Sequence, residues 1–406
     1  MTDNVTAASG GDSEASPVMW RSILCAFCAS LIGIGLARFA YTPLLPAVIG
    51  AHWFDPSTAA YLGAANLAGY LAGALLGRAI SSRLSLHVTL RLMMLIATAA
   101  FFACAWPLDF AWFFIWRFAA GVAGGALMVL AAPAVLAHVP PSRRGLAGGI
   151  IFMGIGVGVA ASGTLVPTLL QGGLQQTWIG LGVASLLITA IAWTGWPPGT
   201  ATAAAPGDRH VLKQGRLRAL YGEYALNAVG WVPHMIFLVD FVARDLHRGI
   251  AVGSHYWVEF GLGATLGPIL TGYFADRAGF GAALRLAFLI EAIAVAIPAI
   301  VPDPAWLIAS SIGVGAFLTG TVTLVLGRIG ELLPNLPDQQ KAAWTAATVF
   351  FALSQAAAAY GLSFLFAWSD ENYSLLFFIG TAAILAALVI DIVADVLSER
   401  SPQAQN

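Results

Sequence analysis

Charge is scarce in this sequence, and that scarcity limits the class of protein it encodes. Only 10% of its 406 residues are charged and 59% are hydrophobic, whereas soluble domains carry about 25% charged residues. The mean hydropathy is +0.81. The net charge of −1 lacks the positive excess that marks nucleic-acid-binding proteins. The composition therefore indicates a membrane protein, and we expect no nucleic-acid partner.

Cysteine and recognisable catalytic motifs are also in short supply. The three cysteines all lie in apolar runs, which argues against a disulfide framework. Cys25 and Cys28 have a CxxC spacing, but no second ligand pair follows them. The sequence has no GxxxxGK[ST] phosphate-binding loop, no GxSxG nucleophile motif and no His/Cys/Asp metal-binding pattern. We therefore expect no enzymatic activity, no ATP-driven transport, no cofactor and no metal.

Long apolar runs, by contrast, are abundant. A bilayer core requires about 20 consecutive apolar residues per helix, and runs of this kind recur along the whole chain. The predicted spans cover residues 22–49, 58–82, 86–107, 109–138, 143–171, 175–196, 216–244, 250–277, 281–302, 304–333, 338–368 and 371–397. The predicted fold class is an all-α polytopic membrane protein with twelve transmembrane helices in two six-helix halves.

A segment rich in Pro, Gly, Ala and Thr separates the sixth predicted span from the seventh. Such a composition is typical of a flexible linker. The predicted organisation is therefore an N-terminal tail (1–21), a six-helix bundle (22–196), a linker (197–215), a second six-helix bundle (216–397) and a C-terminal tail (398–406).

Basic residues indicate the orientation of the chain. If the N-terminus is cytoplasmic, only Arg244 and Arg248 of the nineteen Lys and Arg residues fall in outer loops, and only Arg38 and Arg117 fall within spans. Since cytoplasmic loops carry an excess of Lys and Arg, we expect a multi-pass protein with both termini in the cytoplasm.

The two halves share an internal repeat. A shift of 194 residues aligns Gly73–Leu92 with Gly267–Leu286 and matches Arg83 with Arg277. A parallel repeat of six helices is the plan of secondary transporters, in which two halves rock about a central site.

Three segments resemble the major facilitator superfamily. Gly272–Gly279 (GYFADRAG) resembles its GxxxDRxG loop motif, and Trp116–Ala126 (WRFAAGVAGGA) resembles its RxxxG helix motif. The opening GIGLARFAYTPLLP at 33–46 is similar to the first helix of the YbfB/YjiJ group of bacterial transporters. The resemblance implies the major facilitator fold, alternating access, a small-molecule substrate and residence in the bacterial inner membrane, which is the plasma membrane.

The loop motif also carries expected roles. The resemblance implies that Gly272, Asp276, Arg277 and Gly279 act in gating, while the alternative is a solvated loop that only sets the topology. The first-half copy of the motif has Ser82 at the position of Asp276, so it lacks the acidic residue.

Two arginines lie inside predicted spans, where a charge costs about 2.5–3.5 kcal/mol on insertion scales. Arg38 could bind the anionic group of a substrate, pair with an acid, or brace helices through backbone carbonyls. We expect Pro43 and Pro46 beyond it to free carbonyls in the outer third of the span. Arg117 belongs, by resemblance, to the helix associated with proton coupling, and its alternative is a structural hydrogen-bond donor.

The seventh span is the most polar and holds Glu223, Asn227, His234 and Asp240. Under the repeat, His234 has nearly the depth of Arg38, so we expect both side chains in one central cavity. Histidine suits a proton carrier because its pKa lies near physiological pH. His234 could instead satisfy a carbonyl freed by the adjacent proline, and Asp240 could simply be solvated at the interface.

Further acids lie in the eighth and ninth spans. His255 and Glu259 are four residues apart and therefore share one helix face, so they form a candidate proton site. A helix–helix hydrogen bond is the alternative for Glu259. Glu291 lies near the midplane of a span that is peripheral in the superfamily, which favours a structural or permanently protonated role.

Taken together, these patterns predict two sets of functional residues. The predicted substrate-binding residues are Arg38, Tyr41, Asn66, Tyr70, Asn227, Trp231, His234, Gln355 and Tyr360. The predicted proton-coupling residues are Arg117, Glu223, His234, Asp240, His255, Glu259 and Glu291.

The predicted function is a proton-coupled secondary transporter of a small organic molecule, with carboxylates among the candidates. The expected partners are that substrate, protons and the lipid bilayer, and we expect a monomer. The alternative is a drug/proton antiporter that exports amphiphilic compounds. A non-transporting sensor would need an added soluble domain, and no predicted loop exceeds about twenty residues.

Overall fold

The computed structural model describes residues 17–54, 56–140, 143–197, 215–369 and 372–399. Within these ranges the chain is helical, and the helices form twelve rods that we number span 1 to span 12. The all-α polytopic class predicted from the apolar runs is confirmed for the described residues.

Ten of the rods are single helices. They are span 2 (Pro56–Arg83), span 3 (Leu86–Cys104), span 4 (Phe110–Leu136), span 5 (Arg144–Leu170), span 6 (Leu174–Ile191), span 8 (Gly249–Ala278), span 9 (Phe280–Ile300), span 10 (Pro304–Leu332), span 11 (Pro337–Trp368) and span 12 (Tyr373–Glu399).

The predicted tails and linker lie largely outside the described residues. Residues 1–16, 198–214 and 400–406 are not described, so the division of the chain at 197–215 stays a prediction. Two helix ends differ from the predicted spans by five residues: span 1 begins at Pro17 rather than at residue 22, and span 6 ends at Ile191 rather than at 196.

Span 1 is broken in its middle. It consists of an α-helix at Pro17–Ser30, a π-helical stretch at Leu31–Leu36 and a second α-helix at Tyr41–Gly50. We had expected the irregular backbone to follow from Pro43 and Pro46. It instead precedes Pro43. Pro43 lies in the first turn of the second helix, where a missing backbone donor costs nothing.

Span 7 is broken at the corresponding place. Helices at Gly215–Gly230 and Val232–Asp240 meet at Trp231, and a π-helical stretch follows at Phe241–Asp245. Pro233 again occupies the first turn of the second helix. Spans 1 and 7 thus carry irregular backbone at membrane depth, which is tolerated where it is buried within protein.

Length and composition alone identify most of the rods. Nine helical segments of the described residues are long and apolar enough to cross a membrane. Spans 2, 7 and 8 are not among them, and these three hold Asn66, Glu223 and Glu259, which the sequence singled out as polar residues at depth.

The helix packing repeats at an offset of 194 residues. Gly69 of span 2 lies against the backbone carbonyl of Phe118 in span 4, and 194 residues later Gly263 of span 8 lies against that of Ile312 in span 10. The same offset relates Gly73 on Val122 to Gly267 on Ala316, and Gly121 on Asn66 to Gly315 on Phe260. The predicted repeat is therefore present in the tertiary contacts.

Spans 5 and 8 pack together over most of their length. Gly149 lies against the backbone of Pro268, and Gly261 lies against the backbone of Ala160. On the other side of span 5, Gly158 faces span 1. The small residues of span 5 thus let two neighbouring helices approach closely, which confirms the structural explanation of its glycine content.

Candidate substrate and proton sites

Arg38 lies in the turn between the two helical parts of span 1, and its side chain is buried. Its Nη2 donates a hydrogen bond to Oε1 of Gln355 in span 11. The same atom lies 3.6 Å from Sδ of Met235 in span 7. The guanidinium therefore connects a span of the first six with two spans of the second six.

Aromatic rings surround the guanidinium. Its Cζ lies 5.2 Å from the ring centre of Phe39, 5.6 Å from that of Tyr70 and 5.8 Å from that of Trp231. These distances suit cation–π attraction. Arg38, Tyr70, Trp231 and Gln355, all predicted substrate-binding residues, thus lie together.

Hydrogen-bond donors around Arg38 exceed the acceptors. Among the described residues no Asp or Glu forms an ion pair with Arg38. Its Nε, the side-chain Nε2 of Gln355 and the indole Nε1 of Trp231 are buried without a partner. Since buried polar groups are normally paired, this cluster lacks an acceptor, and an anionic group would provide one.

Arg117 has a different environment. Its Nη1 donates to the backbone carbonyl of Ala37 at 2.8 Å, at the break of span 1, and its Cζ lies 4.3 Å from the ring centre of Tyr41. Tyr41 donates to the carbonyl of Ala59, and Asn66 donates to the carbonyl of Arg117. The carbonyl-bracing role that was open for Arg38 is therefore seen at Arg117, and Tyr41 and Asn66 belong to that brace.

His234 does not join Arg38, contrary to our expectation of a common cavity. Its Nε2 lies 2.8 Å from Oγ of Ser310, and its ring packs edge-on against Phe377. The break at Trp231 starts a new helix, and its residue Met235, not His234, reaches Arg38. Neighbouring helical residues point about 100° apart, so Met235 faces Arg38 while His234 faces span 10, and the predicted side of His234 was wrong.

The Ser310 hydroxyl also identifies the tautomer of His234. Ser310 donates its one hydrogen to the carbonyl of Ala294 at 2.7 Å. Its oxygen must therefore accept from Nε2–H of His234. The other ring nitrogen, Nδ1, is buried without a partner.

Asn227 and Glu291 form a second buried pair. Asn227 Nδ2 donates to Glu291 Oε2 at 2.5 Å, between spans 7 and 9. Glu223, one turn earlier on the same face of span 7, is buried and has no hydrogen-bond partner on either oxygen. Asn227 therefore lies in an acidic cluster and not beside Arg38.

The predicted pair of His255 and Glu259 is formed, with 3.4 Å between His255 Nε2 and Glu259 Oε1. It lies on the face of span 8 that also presents the exposed side chains of Leu262 and Leu266. The His255 side chain is 63% exposed. The structure thus places this pair away from Arg38 and from the contact with span 5.

Two other candidates also lie elsewhere. Asp240 receives two hydrogen bonds from Arg244 and one from Tyr373 near the end of span 7, and its side chain is 38% exposed. This environment matches its interfacial alternative. Tyr360 is exposed and makes no contact with Arg38.

The gating candidates meet span 5 at its N-terminal end. The carboxylate of Asp276 packs directly over Gly145, in the first turn of span 5, where a side chain would overlap it. Gly272 also faces the Gly145 backbone, and Gly279 has φ +84°, a conformation that favours glycine. Arg277 instead binds within its own helix, to the carbonyl and ring of Tyr273.

One cluster was missed by the sequence reasoning. Asp391 of span 12 is buried and pairs with Arg216 of span 7 at 2.9 Å and with Arg285 of span 9. Asp395 pairs with the same two arginines. Asp391 is an acid inside an apolar run, so the rule that identified Arg38 would also have found it.

A family described as "Uncharacterised MFS-type transporter YbfB" matches the chain over residues 30–392. No curated protein matches the sequence.

Two solved structures are similar over nearly their whole length. The proton:xylose symporter XylE, solved with bound 6-bromo-6-deoxy-D-glucose, has a TM-score of 0.71 at 14% identity, and the match covers 93% of this chain and 95% of XylE. FucP, a major facilitator superfamily transporter in the outward conformation, has a TM-score of 0.70 at 13% identity, with 92% and 98% covered. At such identities the likeness shows the fold, which is the major facilitator fold of twelve helices.

Proposed function

Because this chain belongs to the family of MFS-type transporters represented by the uncharacterised YbfB, we propose that it is a proton-coupled secondary transporter of a small organic anion. Transport by alternating access follows the plan of two repeated six-helix halves. We propose in addition that it works as a monomer in the bacterial plasma membrane, with both termini in the cytoplasm. The distribution of Lys and Arg supports this orientation.

The excess of hydrogen-bond donors at Arg38 is the observation that supports an anionic substrate. A carboxylate oxygen would accept from the unpaired Arg38 Nε, and further donors are available on Gln355 and Trp231. Planar guanidinium and carboxylate groups match each other in geometry, and such charge-assisted hydrogen bonds are about twice as strong as neutral ones. A neutral or cationic substrate would leave the buried charge without a counter-charge.

The location of Arg38 also suits alternating access. Its side chain is attached to span 1 but contacts spans 7 and 11, so any rocking of one half against the other changes its partners. In the present conformation the guanidinium of Arg38 contacts the side chains of Gln355 and Met235. A substrate carboxylate would replace these weaker partners and could thereby control when the halves separate.

The test is proton movement in proteoliposomes that contain a pyranine-type dye. A pH jump is applied with a panel of small carboxylates and, separately, cationic amphiphiles. Two charge-assisted hydrogen bonds contribute about 1.5–3 kcal/mol each, so we expect Arg38→Ala to weaken carboxylate-driven proton movement by about 100-fold or more. Arg218→Ala, which removes an exposed arginine at the start of span 7, is the matched control.

The outcomes separate the candidate functions. Proton movement driven by carboxylates and lost in Arg38→Ala supports the anion transporter. Proton movement driven by amphiphiles and retained in Arg38→Ala would overturn it in favour of the drug/proton antiporter.

A further inference from the structure

A second site lies on the other side of span 7, facing span 9. Its members are Glu223, Asn227 and Glu291, and each side chain is no more than 1% exposed. Asn227 donates to Glu291 Oε2, and Glu223 lies about 6 Å from Asn227 along the helix axis, toward the cytoplasmic end. None of these residues contacts Arg38.

The hydrogen-bond imbalance of this site is opposite to that at Arg38. Both oxygens of Glu223, Oδ1 of Asn227 and Oε1 of Glu291 are buried without a partner, and all four atoms are acceptors when the acids are ionised. No Lys, Arg or His forms an ion pair with either acid among the described residues. The site therefore lacks hydrogens, and a carboxyl group that binds a proton becomes a donor.

We propose that Glu223 and Glu291, together with the Asn227 side chain that binds Glu291, form the proton-carrying site of this transporter. The inference rests on the proposed function for its role in transport. The proton binds to a carboxylate oxygen and leaves from the same oxygen, so each cycle returns both acids to their starting state. With both acids neutral the cluster stays buried at low cost, whereas two unpaired carboxylates would be expensive there.

Glu223 is the acid nearer the cytoplasm. The charged groups that act on it are those at the cytoplasmic end of the second six spans, namely Asp391, Arg216, Arg328 and Arg285. Arg216 lies seven residues before Glu223, on the same face of span 7. In this arrangement protons exchange with the cytoplasm through Glu223, beside the ion pairs of Asp391 and Asp395 with Arg216 and Arg285.

The two sites share span 7 as their common wall. Trp231 and Met235 face Arg38, while Glu223 and Asn227 face span 9. A movement of span 7 relative to both span 1 and span 9 changes the surroundings of the anion and of the proton at the same time. This arrangement couples the two without a direct contact between them.

A direct test measures protonation of the acids in the purified protein, without any substrate. Infrared difference spectra across a pH titration report the C=O stretch of protonated carboxylic acids. We compare wild type with Glu223→Gln and Glu291→Gln, since glutamine has the shape of a neutral glutamic acid and keeps an acceptor for Asn227. Asp303→Asn, a change of an exposed acid at the start of span 10, is the matched control.

We expect a protonated-carboxyl band that titrates in wild type, loses roughly half its intensity in each of the two variants and is unchanged in Asp303→Asn. A band that is unaffected by both variants would overturn the proposal. A band that never titrates would also overturn it, because permanently protonated acids are structural. A change of the band on addition of sodium at constant pH would also overturn the proposal, because the site would then bind a metal cation instead of a proton. Melting curves confirm that each variant is folded.

This result is independent of the substrate. If the band titrates as expected but no carboxylate drives proton movement in proteoliposomes, the anion-transport proposal fails while the proton site stands. If carboxylates drive proton movement and the band does not depend on Glu223 or Glu291, the proton site fails alone.

Discussion

The contact between spans 5 and 8 supports a prediction that can be worked out from distances. A methyl group at Gly261 would lie 2.5 Å from the backbone nitrogen of Ala160 and 2.7 Å from its Cα. Carbon atoms in ordinary contact are about 3.5–4.0 Å apart, so Gly261→Ala requires the two helices to separate by about 1 Å. The obstacle is backbone, and no side-chain rotation relieves it.

Overpacking of this kind costs about 1–3 kcal/mol. The cost opposes a gain of up to about 1 kcal/mol in helix propensity when glycine becomes alanine. The net cost is then up to about 2 kcal/mol, so we expect Gly261→Ala to lower the melting midpoint of the detergent-solubilised protein by up to a few degrees. Gly148→Ala is the matched control, because a methyl group there would meet only Leu136 and Thr323 at 3.9 Å.

Gly148→Ala should leave the melting midpoint unchanged or raise it slightly. The assay is a thermal shift measurement on both variants, with size-exclusion profiles to confirm equal folding before heating. Equal midpoints for the two variants would refute the idea that close backbone approach at Gly261 holds spans 5 and 8 together. In a transporter the same change would also favour conformations in which these spans are further apart.

Two further predictions concern charges with structural roles. Arg117→Gln leaves the Ala37 carbonyl unpaired, at a cost of about 1–3 kcal/mol. We therefore expect a lower melting midpoint and an unaltered preference among the carboxylates of the panel. An altered preference would contradict the bracing role. Asp391→Asn removes the buried partner of Arg216 and Arg285. It should lower the melting midpoint more than Asp395→Asn, because the Asp395 side chain is 32% exposed. The reverse order of the two midpoints would contradict the importance of burial.

Much of the architecture was predictable because it depends on lengths. A bilayer sets the number of apolar residues per span, and the twelve rods correspond one to one with the predicted runs. The offset of 194 residues was visible in the sequence and recurs in the glycine contacts of spans 2, 4, 8 and 10. The position of the break in span 1 was not predicted, since the sequence placed irregular backbone beyond Pro43 and the break lies before it.

The composition of the site was less predictable. Arg38, Tyr70, Trp231 and Gln355 come together as expected, but His234 faces Ser310 instead. The roles of the two intramembrane arginines could not be distinguished in the sequence, since both are lone cations in apolar helices. Only their partners separate them: backbone carbonyls for Arg117, and an amide and aromatic rings for Arg38.

The sequence by itself determined the number of apolar helical rods and the position of each charged residue along its rod, because every residue of a helix advances the chain by about 1.5 Å. The tertiary structure alone decided which side of each helix faces which neighbour. Around the breaks of spans 1 and 7 the helical register changes, so residues of equal depth point in different directions. Asn227 meets Glu291, and Arg38 meets Gln355, because helices distant in the chain present these faces to one another.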